Sequence, residues 1–360
     1  MKVFGILRGF PGLGRVVPGM GILQTLQKMG HTVKVYTYLQ GIEVVRNSNI
    51  DLMLDRQPGK QHVMVVGLNP ISEVGGEIFE IIINEKPDLV IIDGEVLMVS
   101  TLSLVYPPEK IIALLNPTDI FNESLPASTM TFYQHHYLSG KYAIVHGLNL
   151  IDKKKEFING CEVNYLNTIL RSEILELKLK YNKKRIVGIL GGGCSNSSSD
   201  FFDSTIKIGR KIYEIAQRMS DIQFEIFCND DIVRKRLEED NKVKNISLIS
   251  KFTNPSIMYQ NCCCVLCRAG RNTISELLYL GLPALLFSTS GDFRSKEQKK
   301  NILKACQQSN SFMVNANLNE DVDTLVNTIK MLCTKEFIQK NFCPGNNDAI
   351  KLIMNILGAS

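Results

Sequence analysis

Twice along this chain a short run of β-branched residues ends in a glycine turn that opens an amphipathic stretch. Val3 to Leu7 leads into RGFPGLGR, and Arg185 to Leu190 leads into GGGCSNSSSD. Around both points short apolar runs alternate with longer helical patterns, the signature of βαβ units and a parallel sheet. In the first half the pattern predicts a strand at 3–7, a helix from Pro18 to Met29 closed by Gly30, a strand from Thr32 to Tyr38, and strands at 63–67, 89–92 and 111–115. The polar stretch around 151–184 reads as a linker. Beyond it come RIVGIL, a helix to about 218, QFEIFC, NISLI, CVLC and PALLF. A chain of 360 residues exceeds one ordinary core. The expectation is an α/β protein of two Rossmann-like domains facing across a cleft, residues 1–155 and 156–340, with 341–360 a C-terminal helix (Asp348 to Leu357) packing across both.

The formal charge of +5, from 41 Lys and Arg against 36 Asp and Glu, is spread over the whole length. Phosphate-backbone binding needs a concentrated basic stripe, so nucleic acid is not an expected partner. A mild excess suits an anionic small ligand, or peripheral association with an anionic membrane surface. The start MKVFGIL runs straight into a charged glycine turn, so no export or membrane segment is expected there. The ten cysteines then read as thiols of a cytoplasmic protein. Cys264 and Cys267 form CxxC without a second pair or nearby histidine, and residues three apart on a strand point to opposite faces. Cys262, Cys263, Cys264 and Cys267 are therefore expected as small buried hydrophobes, with no metal.

Three glycine turns are candidates for ligand binding. RGFPGLGR does not have GxGxxG spacing, and the second strand ends YTYLQG without the acid that would take a ribose hydroxyl, so a dinucleotide is not expected. In GGGCSNSSSD three glycines remove every Cβ that would keep a ligand from the backbone, while the serines and Asp200 can cap the following helix. That turn suits a diphosphate; the plain alternative is a flexible polar loop. In CRAGRNTISELLYLGLPALLF a buried strand meets a turn, and Thr273 with Glu276 has capping-box spacing. Glu276 is thus either a cap or an acceptor for ligand hydroxyls.

Four stretches, GLGRVVPGMGIL, LGGGCSNSSSD, CRAGRNTISELLYLGLPALL and KEQKKN, resemble the GT-B glycosyltransferases. The resemblance is closest to the group that adds N-acetylglucosamine to the peptidoglycan lipid intermediate, with the UDP-glycosyltransferases as cousins. It implies an inverting, metal-independent transfer of a hexose or N-acetylhexosamine from a UDP-linked sugar to a hydroxyl on a lipid, peptide or small molecule, with no further cofactor. Glu276 would take the ribose hydroxyls. Arg268, Gly270, Arg271, Asn272, Thr273 and Ser275 would face the diphosphate or sugar, and Gly192, Gly193 and Ser195 would line the phosphates. Phe252 and Thr253 would sit at the base, Glu297 and Gln298 at the sugar, and Gly12, Leu13 and Gly14 would close over donor and acceptor.

One departure matters. The related transferases have histidine after the first glycine turn, in GGHxxPG, where this chain has Arg15, and a guanidinium cannot be a general base. Arg15 could bind a phosphate or carboxylate instead. Candidate bases are Asp119, beside Asn116 where the family builds its acceptor site, and Asp93 or Glu95 after an earlier strand. Desolvation could raise the basicity of any of these carboxylates. His135 and His136 diverge by about 100 degrees on a helix and read as ordinary helix histidines. The departure also motivates two alternatives: a GT-B scaffold without turnover serving as an auxiliary subunit, and a nucleotide-sugar hydrolase or epimerase.

Overall fold

The computed structural model describes residues 1–358 except 11, 59–72, 149–154, 181, 183, 196, 197, 241, 242, 251–255, 292 and 336–341. The strand expected at 63–67 lies outside the described residues. The chain divides into two units, Met1–Ser172 with Pro344–Ser360, and Glu173–Cys343.

In the first unit the strands are β1 (Lys2–Leu7), β2 (Thr32–Tyr36), β3 (Asp51–Leu52), β4 (Leu89–Asp93), β5 (Ile111–Leu115), β6 (Tyr142–Gly147), β7 (Lys155–Ile158) and β8 (Cys161–Asn167). Their order in the sheet is β3-β2-β1-β4-β5-β6-β8-β7, parallel except for the β7–β8 pair. Side chains alternate across a strand, so β1 sends Phe4 and Ile6 into one apolar layer and Val3 and Leu7 into the other. Both faces of the central strands are covered, which is why they read as unbroken apolar runs. The helices are α1 (Val16–Lys28), α2 (Gln40–Arg46), α3 (Gly75–Glu85), α4 (Val96–Leu102), α5 (Pro117–Ile120) and α6 (Ala127–Tyr137). Helix α1 begins two residues before Pro18, as the first helical turn has no use for the N–H that proline lacks. The apolar stretch from Leu97 to Tyr106 mostly fills the core through Met98, Val99 and Leu102, but Leu104 is 84% exposed.

The expected boundary at 155/156 is wrong. β7 and β8 close the first sheet, so the unit continues to Ser172. An edge strand beginning with lysine looks like linker because charge at an edge keeps it from pairing with other chains. After α7 (Ser172–Leu175), the second unit contains β9 (Arg185–Gly191), α8 (Ser199–Arg218), β10 (Gln223–Cys228), α9 (Asp231–Asp240), β11 (Ile246–Ile249), α10 (Ser256–Tyr259) and β12 (Cys264–Arg268). It continues with α11 (Arg271–Leu280), β13 (Ala284–Phe287), α12 (Phe293–Gln308), β14 (Met313–Ala316) and α13 (Val322–Cys333). This sheet is fully parallel in the order β11-β10-β9-β12-β13-β14, the doubly wound pattern.

The last helix, α14 (Asn346–Ile356), belongs to the first unit, so the expected boundary at 340/341 also moves, to 343/344. Ala349 and Ile353 join the layer built on α1 and β1. The Asn346 amide, itself buried, accepts from the Leu170 N–H at 2.8 Å and donates to the Leu170 carbonyl at 2.7 Å. Asn346→Ala removes both partners from buried backbone groups, and chemical denaturation should show the first unit losing roughly 2 to 4 kcal/mol.

Candidate functional site

Open parallel sheets bind ligands outside the carboxyl ends of the strands where the strand order reverses. In the second unit that point lies between β9 and β12. Strand β9 ends at Gly191, with φ +72°, and Gly193 follows with φ +70°, conformations that suit glycine alone. Arg268 ends β12 and spreads over this turn. Its Nη1 donates to Cys194 Sγ at 2.8 Å, its Nη2 approaches the Gly192 carbonyl at 3.4 Å, and its guanidinium lies 4.9 Å from the centre of the Phe201 ring. A Cβ on Gly191 would stand 2.5 Å from Arg268 Nη2, so glycine there also makes room for the cation. Arg294 approaches the same ring at 5.7 Å. These guanidinium groups gather by the first turn of α8, where Ser198 accepts from the Phe201 N–H. The positive end of the helix dipole adds to the same field.

Glu276 does not cap its helix. Helix α11 starts at Arg271 with Gly270 as the N-cap residue, so Thr273 is the third helical position and the expected capping box does not form. Gly270 is extended, φ −72° and ψ 141°, which lets the helix begin straight after the strand. Glu276 then lies deeper in the helix, 1% exposed, and accepts a 2.5 Å hydrogen bond from the buried Tyr259 hydroxyl. On α12 the Gln298 carbonyl accepts from the Thr289 N–H at 2.9 Å and hydroxyl at 3.0 Å.

The corresponding reversal in the first unit lies between β1 and β4. Arg15 reaches it from the residue before α1. Its Nη1 and Nη2 donate to the two Asp119 oxygens at 2.6 and 2.5 Å, and Nη1 also donates to Asp93 Oδ1 at 3.2 Å. Burial pulls the guanidinium pKa down, but Asp119 and Asp93 more than offset that and the net shift is upward. Asp119 also accepts from the Asn116 N–H at 2.7 Å, which fixes the start of α5. Gly94 turns the chain with φ +82°, and a Cβ there would meet Arg8 and Arg15 at 3.0 to 3.2 Å. Next to it Glu95 is 1% exposed, takes a hydrogen bond from the Tyr38 hydroxyl on one oxygen, and has no hydrogen-bond partner among the described residues on the other. Burial raises its pKa against the opposing pull of Arg8, Tyr38 and Arg15.

Residues 166–343 match the model of the glycosyltransferase family 28 C-terminal domain. A UDP-N-acetylglucosamine–N-acetylmuramyl-(pentapeptide) pyrophosphoryl-undecaprenol N-acetylglucosamine transferase of Thermosipho melanesiensis is 27% identical over 158 residues, 44% of this chain and 42% of that relative. The aligned part is thus less than half of either protein. Among solved structures, the UDP-GlcNAc 2-epimerase of Neisseria meningitidis bound to UDP-GlcNAc superimposes with a TM-score of 0.62 at 14% identity over 100% of both chains. The MurG of Acinetobacter baumannii gives 0.56 at 12% identity over 98% of this chain and 99% of its own. The fold is GT-B, with two Rossmann-like units, and the chain resembles the UDP-glycosyltransferase and MurG-like group.

Within the matched residues, Gly192, Gly193 and Arg268 gather at one turn, while Arg271, Asn272, Thr273, Ser275 and Glu276 occupy the first turns of α11. Ser195 differs from expectation. Its N–H and hydroxyl both donate to Asp230 Oδ2, at 2.8 and 2.9 Å, so neither points to a phosphate. Asp230, buried at the end of β10, also accepts from the Val233 N–H at 3.3 Å and so ties this loop to α9. The sequence reading passed over Asp230 and Tyr259, as each acts through a partner distant in sequence. Phe252 and Thr253 lie outside the described residues. Cys262, Cys263, Cys264 and Cys267 are all fully buried, and burial pushes the Cys262 and Cys267 thiols up to about 12. Among the described residues no group of three or more His, Cys, Asp or Glu is arranged to hold a metal, and no helix is long and apolar enough to cross a membrane.

In the first unit Arg15 does not present its fork to a ligand, as expected for phosphate or carboxylate binding, because Asp119 occupies it. His136 meets Ser100 at 2.9 Å on α4, and burial followed by His135 lowers its pKa. The raised pKa of Glu95 has a consequence for stability. Below the ordinary carboxylate range Glu95 is protonated both folded and unfolded. As pH rises through that range toward the raised folded value, the native state loses up to about 1.4 kcal/mol per pH unit. Glu95→Gln mimics the neutral acid, so denaturation curves should match wild type near pH 4 and show the variant increasingly the more stable toward pH 7.

Proposed function

We propose that this protein is an inverting glycosyltransferase that moves a hexosyl or N-acetylhexosaminyl group from a UDP-linked sugar to an acceptor hydroxyl, without a cofactor or a catalytic metal. The observation that carries this is the strand reversal of the second unit, where Arg268, the Gly191 to Gly193 turn and the first turn of α8 meet. The match of residues 166–343 to the glycosyltransferase family 28 C-terminal domain model supports it.

In this reading the diphosphate lies against the glycine turn, and Glu276 accepts from the ribose hydroxyls. When the acceptor oxygen attacks the anomeric carbon, the bond to the diphosphate breaks and negative charge builds on the leaving phosphate. Arg268 and the α8 dipole stabilise that charge, the dipole by roughly 0.3 to 2 kcal/mol, which is the service a divalent cation would otherwise give. The acceptor proton needs a base. Asp119, with its side chain 11% exposed, is reachable, whereas Asp93 is fully buried and acts by holding Arg15. Asp119 shares both oxygens with Arg15, so accepting a proton requires the pair to open.

The same pairing favours a second reading. A carboxylate locked in a bidentate pair is a poor base, and a protein that keeps it locked would bind the donor without turning it over. Uridine diphosphate release in the presence of candidate acceptor alcohols separates the two, and a chelator should leave the rate unchanged. For donor binding itself, calorimetry with UDP and UDP-sugars is decisive. Glu276→Gln should weaken UDP binding by roughly tenfold or more, the value of a hydrogen bond to a charged group. Failure of the wild type to bind any nucleoside diphosphate would sink both readings.

A further inference from the structure

We propose that Cys263 and Cys333 are an oxidant-sensitive thiol pair, which hydrogen peroxide converts into a disulfide across the second unit. Their sulfurs lie 3.0 Å apart although the residues are 70 positions apart in the chain. The fold brings them together. On α13, Leu325, Ile329 and Leu332 recur at helical spacing and join the same apolar layer as Cys263, Cys264 and Leu266, so the helix lies against β12. Cys333 ends that helix one position past Leu332 and is half-buried, whereas Cys263, just before β12, is fully buried.

The two thiols are not equivalent. Cys263 Sγ also donates to the Arg185 carbonyl at 3.3 Å, and Cys264 also hydrogen-bonds Cys333. The bond between the pair opposes ionisation of Cys263 and assists that of Cys333; Cys264 opposes the latter, burial opposes both, and each thiol ends above its ordinary pKa. The reactive form is the thiolate. Oxidation is therefore slow at neutral pH and starts at Cys333, the member that reaches solvent.

In the first step the Cys333 thiolate attacks one peroxide oxygen. The S–O bond forms, the O–O bond breaks, and the departing hydroxide takes up the proton the thiol released, giving water and a sulfenic acid. Cys263 then attacks Cys333 Sγ; the S–S bond forms, the S–O bond breaks, and a second water leaves with the Cys263 proton. Two thiols are oxidised and one peroxide is reduced to two waters. The sulfurs have to approach by about 1 Å more to bond, a movement that side-chain rotation supplies. The link closes a loop holding β12, β13 and β14 with their helices. It ties the end of β12 opposite Arg268, so the inference does not rest on the nucleotide reading. A cross-link of this span acts mainly by restricting the unfolded chain, so the oxidised protein gains stability.

The test treats the full-length protein with hydrogen peroxide, alkylates the remaining thiols in denaturant, and maps the cysteine peptides by mass spectrometry. A peptide pair joining Cys263 to Cys333, released by dithiothreitol, is expected, together with a higher denaturation midpoint that dithiothreitol returns to the reduced value. The exposed Cys343 reports that the oxidant has acted. If Cys343 is oxidised while Cys263 and Cys333 are both recovered as thiols, or if Cys333 is joined to Cys264 instead, the proposal is overturned; a cross-link without a gain in midpoint overturns its stabilising role. Cys263→Ala should stop at a sulfenic acid on Cys333, captured by dimedone, and capture elsewhere but not at Cys333 overturns the order of attack. The mapping needs only the wild type, so it decides the matter even if that variant fails to fold.

Discussion

Parallel strands that reverse their order leave a place where successive crossovers run to opposite faces of the sheet, and the backbone there is not covered by its own connections. In the second unit the reversal falls between β9 and β12, and the features argued to bind a nucleotide follow from that one constraint. The turn after β9 must leave the sheet in a left-handed conformation, hence Gly191 and Gly193. The last side chain of β12 must lie across the turn, hence Arg268 over Gly192 and Phe201. The helix after β12 must start immediately, hence Gly270 and the inward position of Glu276.

The first unit meets the same constraint with different chemistry. Two guanidinium groups, Arg8 and Arg15, serve three carboxyl groups, Asp93, Glu95 and Asp119. Burying one more negative charge than positive is costly in a low-dielectric interior. The burial of Glu95, which raises its pKa against the pull of Arg8, Tyr38 and Arg15, works in the direction that eases this excess. Arg15 in place of a histidine therefore changes more than the identity of a base: it joins an ionic network in which Asp119, unlike Asp93, retains some access to solvent.

Local features were legible in the sequence to the degree that local physics makes them. β5 was placed at its observed ends, and β1 and β4 to within one residue, because strands buried on both faces are unbroken apolar runs. The β7–β8 hairpin was missed because an exposed edge carries charge and resembles a linker. Glu276 stands out in the sequence, but its capping alternative comes from spacing alone; spacing cannot tell whether a helix starts at residue 271 or 274. The pairs Arg15 with Asp119, Ser195 with Asp230, and Tyr259 with Glu276 join residues 104, 35 and 17 positions apart. No periodicity records such partners.

Asp230 shows how the pairing redistributes a site. A serine beside a glycine turn suggests two donors for a phosphate, yet in this chain both are already given to a buried carboxylate that also fixes the start of α9. Taking them back would strip hydrogen bonds from a buried charge, which costs more than a serine contact with phosphate returns. Under the proposed function, recognition of a diphosphate would fall on the guanidinium of Arg268, with Arg294 behind it, and on a turn whose shape Asp230 maintains. Charge, rather than hydroxyl geometry, would then be the main determinant at the phosphate end of the proposed site. Shape and hydrogen-bond geometry are left to the other end, where Glu276 and Tyr259 are.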